Sequence, residues 1–160
     1  MSKAFTREDD AAPERPVPQR SRAPSPPGVR RNLTPDGAQR FGDELRQLEE
    51  TTRTTPASPE QERRIQELQS LLAGATVVAA PAPPHDQVRF GAFVRVAGLS
   101  ETEATEFRIV GPDEIDADRN WIHSQAPLAK ALVGACVGES LEVTLPGGRK
   151  RLQVLAIHYK

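Results

Sequence analysis

Residues 34–75, TPDGAQRFGDELRQLEETTRTTPASPEQERRIQELQSLLAGA, decide the fold, because they contain two helix starts, each followed by one apolar stripe. Thr34-Pro35-Asp36 supplies a hydroxyl cap, a proline at the first helical position and an acid in the first turn. Ala38, Phe41, Leu45 and Leu48 then recur at spacings of 3, 4 and 3, which is one face of a helix. Ser58-Pro59-Glu60-Gln61 repeats the start and adds a capping box, with glutamine three residues after the serine. Its stripe is Ile65, Leu68, Leu72 and Ala75. The linker Thr51 to Ala57 is too short and too polar to cover either stripe, so an antiparallel hairpin with stripe on stripe is expected. Arms of roughly 15 residues would project about 22 Å at helical rise.

Outward from the hairpin the composition changes sharply. The chain has 160 residues, enough for one or two small domains, with 37% apolar residues and 15 prolines. Six prolines fall between Pro13 and Pro27 and three between Pro81 and Pro84. Residues 1–32 mix charge, proline and serine without an apolar period and read as a disordered tail, either a solubilising segment or a basic tether. Residues 33–79 form the hairpin and 80–85 a stiff Pro-rich connector. The net charge of -1 leaves no basic field of the kind that a dedicated nucleic-acid binder uses. Without an 18-residue apolar run or a signal-peptide core, a cytoplasmic chain with no membrane contact is expected.

From Asp86 the period becomes two. Val88, Phe90, Ala92, Val94 and Val96 alternate with Arg89, Gly91, Phe93 and Arg95, predicting one half-buried strand. Thr105 to Val110 predicts a second and Trp121 to His123 a short third. Ser124 to Val133 predicts a short helix with Leu128, Ala131 and Leu132 inward, stopped by Gly134. Leu141, Val143 and Leu145 lead through Pro146-Gly147-Gly148 into a closing strand, Leu152 to Tyr159. The last strand changes phase, and a bulge near Val154 would reconcile its two halves. Residues 86–160 are therefore expected to form an antiparallel sheet of four or five strands on one short helix, so the fold class is α+β.

Chemistry is sparse. His85, His123 and His158 share no metal-ligand spacing, and no metal or cofactor is expected. Cys136, the single cysteine, lies in Gly134-Ala135-Cys136-Val137-Gly138 and is expected to be a buried, inert thiol. Arg149, Lys150 and Arg151 follow a glycine pair but lack a phosphate-loop pattern; they read as a solvated turn or as basic contacts to nucleic acid. Glu49, Glu50, Glu60 and Glu62 bracket the hairpin tip, and Asp113, Glu114, Asp116 and Asp118 cluster in a loop. Both groups read as solvated charge rather than as ligands for a divalent ion. The outcome is a protruding acidic hairpin on a compact sheet domain, a shape for reaching into a partner.

Several runs resemble the bacterial Gre transcript-cleavage factors. They are Leu33-Thr34-Pro35-Asp36-Gly37, Phe107 to Glu114 (FRIVGPDE), Ser124 to Gly134 (SQAPLAKALVG), Pro146-Gly147-Gly148 and Leu155 to Tyr159 (LAIHY). Met1 to Glu8 looks more like the GreB side of the family. The resemblance implies an N-terminal antiparallel coiled-coil hairpin and an FKBP-like C-terminal domain. It implies docking at the rim of the bacterial RNA polymerase secondary channel, with Ser124, Pro127, Leu128, Lys130 and Ala131 nearest the contact. It implies a monomer that meets DNA or RNA only inside the polymerase complex. Family hairpins end in an Asp-Leu-Ser-Glu-Asn-like motif that helps hold the second catalytic magnesium of polymerase, so the factor completes a site and is not itself an enzyme. Here the turn is Thr51-Thr52-Arg53-Thr54-Thr55-Pro56-Ala57-Ser58, and the arms are shorter by about 15 residues, or some 20 Å. The chain is also similar to Rnk, a short-hairpin relative that binds polymerase without cleavage activity.

Three functions follow as expectations: a non-cleaving secondary-channel binder that modulates elongation, a residual cleavage factor using Glu60 or Glu62, or a Gre-derived module for another protein. A prolyl isomerase is disfavoured, because few aromatics are present to line an apolar proline site.

Overall fold

The computed structural model describes residues 31–99 and 103–160. Strand β1 (Arg31–Leu33) leads into helix α1 (Pro35–Thr54), and helix α2 (Pro59–Gly74) runs into strand β2 (Ala75–Val77). Strands β3 (Phe93–Ala97), β4 (Thr105–Val110) and β5 (Trp121–His123), helix α3 (Pro127–Leu132), and strands β6 (Ser140–Leu145) and β7 (Gly148–His158) complete the α+β chain. The tail assigned to residues 1–32 lies almost wholly outside the described residues, but Arg31 and Asn32 belong to β1.

Both helix starts form as their caps dictate. Thr34 and Ser58 are extended, and each side chain accepts a hydrogen bond from the backbone N–H three residues on; the Ser58–Gln61 capping box is complete. Helix α1 runs 20 residues, further than the sequence implies, and Thr51, Thr52 and Thr54 near its end bond their hydroxyls back to carbonyls of the preceding turn. The linker thus shrinks to residues 55–58. Leu33, Phe41, Leu68 and Leu71 form the buried centre between the helices, with Ala38, Leu45, Leu48, Leu72 and Ala75 packed around it. Leu71 joins this set although it stands outside the stripe read from spacing, and Ile65 is only half-buried. Arg64 adds a two-pronged bond to Glu44 at 2.7 and 2.9 Å.

At the other end the arms are tied together. Strands β1 and β2 pair in parallel, Leu33 opposite Val77, and the Val78 N–H donates to the Leu33 carbonyl at 2.9 Å. Three-residue strands carry too little period to be read from sequence.

The larger sheet has the order β5-β4-β3-β7-β6. It is antiparallel except at one edge, where β4 and β5 run parallel, contrary to the all-antiparallel expectation. Residues 111–120 carry the chain back before β5 begins, and Asp116 closes an isolated bridge with Trp121. The long strand expected from Val88 is interrupted: Gly91 has φ 83°, and its N–H and the Ala92 carbonyl both bond Ile109. Val88, Ala92, Val94 and Val96 are nevertheless buried, whereas Phe90 is only half-buried and Phe93, on the opposite phase, is buried; the alternation marks most of this core while overstating the strand. The expected bulge is present: Val96 pairs with Val154 but Arg95 with Ala156, leaving Leu155 extra and exposed. Helix α3 covers this core with Leu128, Ala129 and Leu132.

Candidate functional site

The hairpin is fastened to the sheet by buried polar contacts. Glu114 is 1% exposed, and its carboxylate accepts from the Thr34 N–H at 2.8 Å and from the Thr34 hydroxyl. Thr34 accepts in turn from the Gly37 N–H at 3.0 Å, so one threonine caps α1 and binds the sheet domain. The approach is close enough to need glycine on both sides: a Cβ on Gly37 would run into the Glu114 carboxylate, and one on Gly111 into the Asn32 carbonyl oxygen. Glu114, expected in a solvated acidic loop, is thus a structural acceptor. Of its neighbours, Asp118 is exposed, Asp116 is half-buried and accepts from the N–H groups of Asp118 and Arg119, and one Asp113 carboxylate oxygen is buried without a hydrogen-bond partner among the described residues.

A second fastening runs across the sheet. Trp121, Arg108, Phe93 and His158 stand opposite one another on β5, β4, β3 and β7. The Arg108 guanidinium lies 4.6 Å from the Trp121 ring and 4.7 Å from Phe93, and His158 stacks on Phe93 at 4.8 Å. Arg40 of α1 covers Trp121 at 5.1 Å, so the row of alternating cations and rings ends on the hairpin. Arg108 also donates to Asp36 at 2.8 Å. That bond holds the Asp36 carboxyl below its usual value of 3.8, against the upward push of burial, with Arg40 and Lys160 adding attraction. Arg108 alternates along β4 with Phe107 and Ile109, which face the core, and the hairpin base covers its face.

The tip contrasts with the base. Glu50, Glu60 and Glu62 are exposed, and Glu49 accepts from Gln69 at 3.1 Å. No group of three or more His, Cys, Asp or Glu side chains among the described residues is arranged to hold a metal ion.

The residues considered for docking lie in α3 and just before it. Pro127 and Lys130 are exposed, Ser124 and Ala131 half-buried, and Leu128 is core. Beside them, burial pushes the His123 imidazole below its usual 6.5; Asp113 acts against that shift and Lys130 with it. In the basic turn Arg149 is exposed, the Lys150 ammonium donates to the Leu99 carbonyl at 2.7 Å, and Arg151 meets Glu142 at 3.3 Å. Cys136, expected inside, is exposed. Its backbone bridges Gln87, and the core place that the small-residue run promised is taken by Ala135 instead. Among the described residues, no helix is long and apolar enough to cross a membrane.

Residues 83–159 match the family described as "Transcription elongation factor, GreA/GreB, C-term". A transcription elongation factor GreA of Nautilia profundicola is 38% identical over 128 residues, covering 78% of this chain and 76% of that protein. The chain belongs to the Gre family of transcription elongation factors. A second GreA, from Sinorhizobium medicae, is 36% identical over 103 residues, 64% of this chain and 65% of that Gre protein. Among solved structures, the Gre factor of Nitrosomonas europaea matches with a TM-score of 0.44 at 25% identity, covering 82% of this chain and 99% of the other. The Gre factor homolog Gfh1 of Thermus thermophilus matches with a TM-score of 0.41 at 22% identity, covering 81% and 99%.

Proposed function

We propose that this chain is a transcription factor that docks on bacterial RNA polymerase at the secondary channel and modulates elongation without stimulating transcript cleavage. In this reading the chain divides into a tail (1–32), a coiled-coil hairpin (33–79), a connector (80–85) and an FKBP-like docking domain (86–160). It acts as a cytoplasmic monomer and is not itself an enzyme, since any hydrolysis belongs to polymerase.

The observation that carries the reading is the tip. Helix α1 ends at Thr54 and α2 begins at Pro59, and the four residues between them include no acid. Completing a polymerase magnesium site needs carboxylate oxygens within about 2.1 Å of the ion. The nearest acids, Glu60 and Glu62, are exposed in the first turn of α2, where they favour the helix N-terminus. A 20-residue α1 spans about 30 Å, and a 16-residue α2 about 24 Å, at 1.5 Å per residue. Even so, the extra turn in α1 recovers only about 7 Å of the some 20 Å by which the arms fall short. Docking is carried by the surface around Ser124, Pro127 and Lys130, with Leu128 and Ala131 supporting it from below. Arg149 and Arg151 meet nucleic acid only within the polymerase complex.

The test is binding to core polymerase with an intact Gre factor as competitor, alongside RNA shortening in backtracked complexes. Mutual exclusion with no RNA shortening is the expected result. Prompt shortening that is lost in Glu60→Gln or Glu62→Gln would establish a cleavage factor instead. Simultaneous binding of both proteins would remove the channel, and failure to bind polymerase would point to a different protein partner.

A further inference from the structure

A cleft of about 380 Å3 opens where the hairpin base meets β4 and β5, lined in part by Asp36, Phe93, Arg108, Arg119, Trp121 and Lys160. Its size is within the range of about 300–1,000 Å3 typical of small-ligand sites. Three cationic side chains reach it against two carboxylates, those of Asp36 and Glu106.

Arg108 sets its character. The side chain is 2% exposed, and its ionic contact is with Asp36, itself 57% exposed. Its Nε is buried and finds no hydrogen-bond acceptor among the described residues. A guanidinium carries five N–H donors in a fixed fork, and a buried donor left unpaired costs about 1–3 kcal/mol. Arg119 and Lys160 remain free to turn toward a ligand. Arg119 is 62% exposed, with a 3.5 Å contact to Asp116 and its guanidinium 5.4 Å from the Trp121 ring, and the exposed Lys160 ammonium lies 5.4 Å from the Phe93 ring.

The aromatic rings do not offer a slot for a planar base. Phe93 already meets Arg108 and His158, and Trp121 meets Arg40, Arg108 and Arg119. Recognition here runs through charge, and a multiply charged phosphoryl group suits one fixed guanidinium and two adjustable cations better than a single carboxylate does.

We infer that this cleft binds the phosphoryl group of a small phosphorylated ligand, with Arg108 as the fixed donor and Arg119 and Lys160 closing over it. The ligand competes with Asp36 for Arg108, so occupancy bears on the first turn of α1. This inference stands independently of polymerase binding.

Trp121 is the only tryptophan in the chain, so its fluorescence reports on the cleft directly. The full chain is titrated at low ionic strength with inorganic phosphate, pyrophosphate and ADP, with succinate as the carboxylate control. A saturable change with pyrophosphate is expected, weakened about five- to tenfold in each of Arg119→Gln and Lys160→Met and strengthened in Asp36→Asn. Equal affinity for pyrophosphate and ADP assigns binding to the phosphoryl group alone; tighter ADP assigns part of it to the nucleoside. No saturable response to any phosphate, an equal response to succinate, or unchanged affinity in the exposed-site double variant R119Q/K160M would overturn the inference. Circular dichroism of that double variant checks that its fold is retained.

Discussion

The two helix starts use the same local chemistry and end with different duties. Thr34 and Ser58 both sit in extended conformation before a proline, and both accept from an N–H three residues on. Ser58 closes its capping box in solvent, and its hydrogen bonds reach no further than Glu62. Thr34 is buried, and its own N–H and hydroxyl are taken by Glu114, 80 residues away in the chain. By local signal the second start is the stronger, yet the first carries the tertiary structure. A cap motif shows where a helix begins, whereas burial and a distant acceptor determine how much of the fold depends on it.

Removing the distant acceptor should separate the two starts most clearly. Glu114→Ala leaves the Thr34 N–H and hydroxyl buried without their partner and should cost about 3 kcal/mol in urea unfolding; a loss below about 1 kcal/mol would show that the base is not the fastening point. Thr34→Ala keeps Glu114 but removes both the cap and the hydroxyl donor, and should cost about 2 kcal/mol by the same measurement. Ser58→Ala loses only a solvent-exposed cap, so about 1 kcal/mol is expected, with amide exchange in β1 and β2 unchanged. If Ser58→Ala proved as costly as Thr34→Ala, the contrast between base and tip would fail.

The smallest effect is a pH dependence at the first start. The carboxyl of Asp36 is held below 3.8 by Arg108, so its contribution is present above that value and lost as pH falls through the lowered one. The stability difference between the wild type and Asp36→Asn should therefore narrow only below about pH 4. Because Asp36 is more than half exposed, the difference should be small, and an NMR titration of its carboxyl is the sharper readout.

What the sequence made legible was local. Caps, the Pro146–Gly147 turn and the phase change at Leu155 depend on residues a few positions apart and appear where they were expected, and the stripes do so apart from Leu71 and Ile65. Contacts that join distant segments were hidden. A buried Glu114 and a solvated one have the same neighbours in sequence, and only Thr34 decides between them. The three-residue strands β1 and β2 were too short to show a period, and the parallel placement of β5 follows from the path of residues 111–120. Cys136 was misjudged because small apolar neighbours predict a buried segment without saying which member turns inward. For the candidate site, the tip acids and the α3 segment were readable as sequence, whereas the cleft around Arg108 needs four strands and a helix brought together.

Pairing Leu33 with Val77 has one more consequence. It closes the excursion between them into a loop whose two feet stand side by side, whatever lies beyond. Helical turns could be spliced in matched pairs into both arms, or excised, while the feet and the sheet kept their places. Stalk length is then a dimension that can drift or be engineered independently of attachment, like the boom of a crane on an unchanged footing.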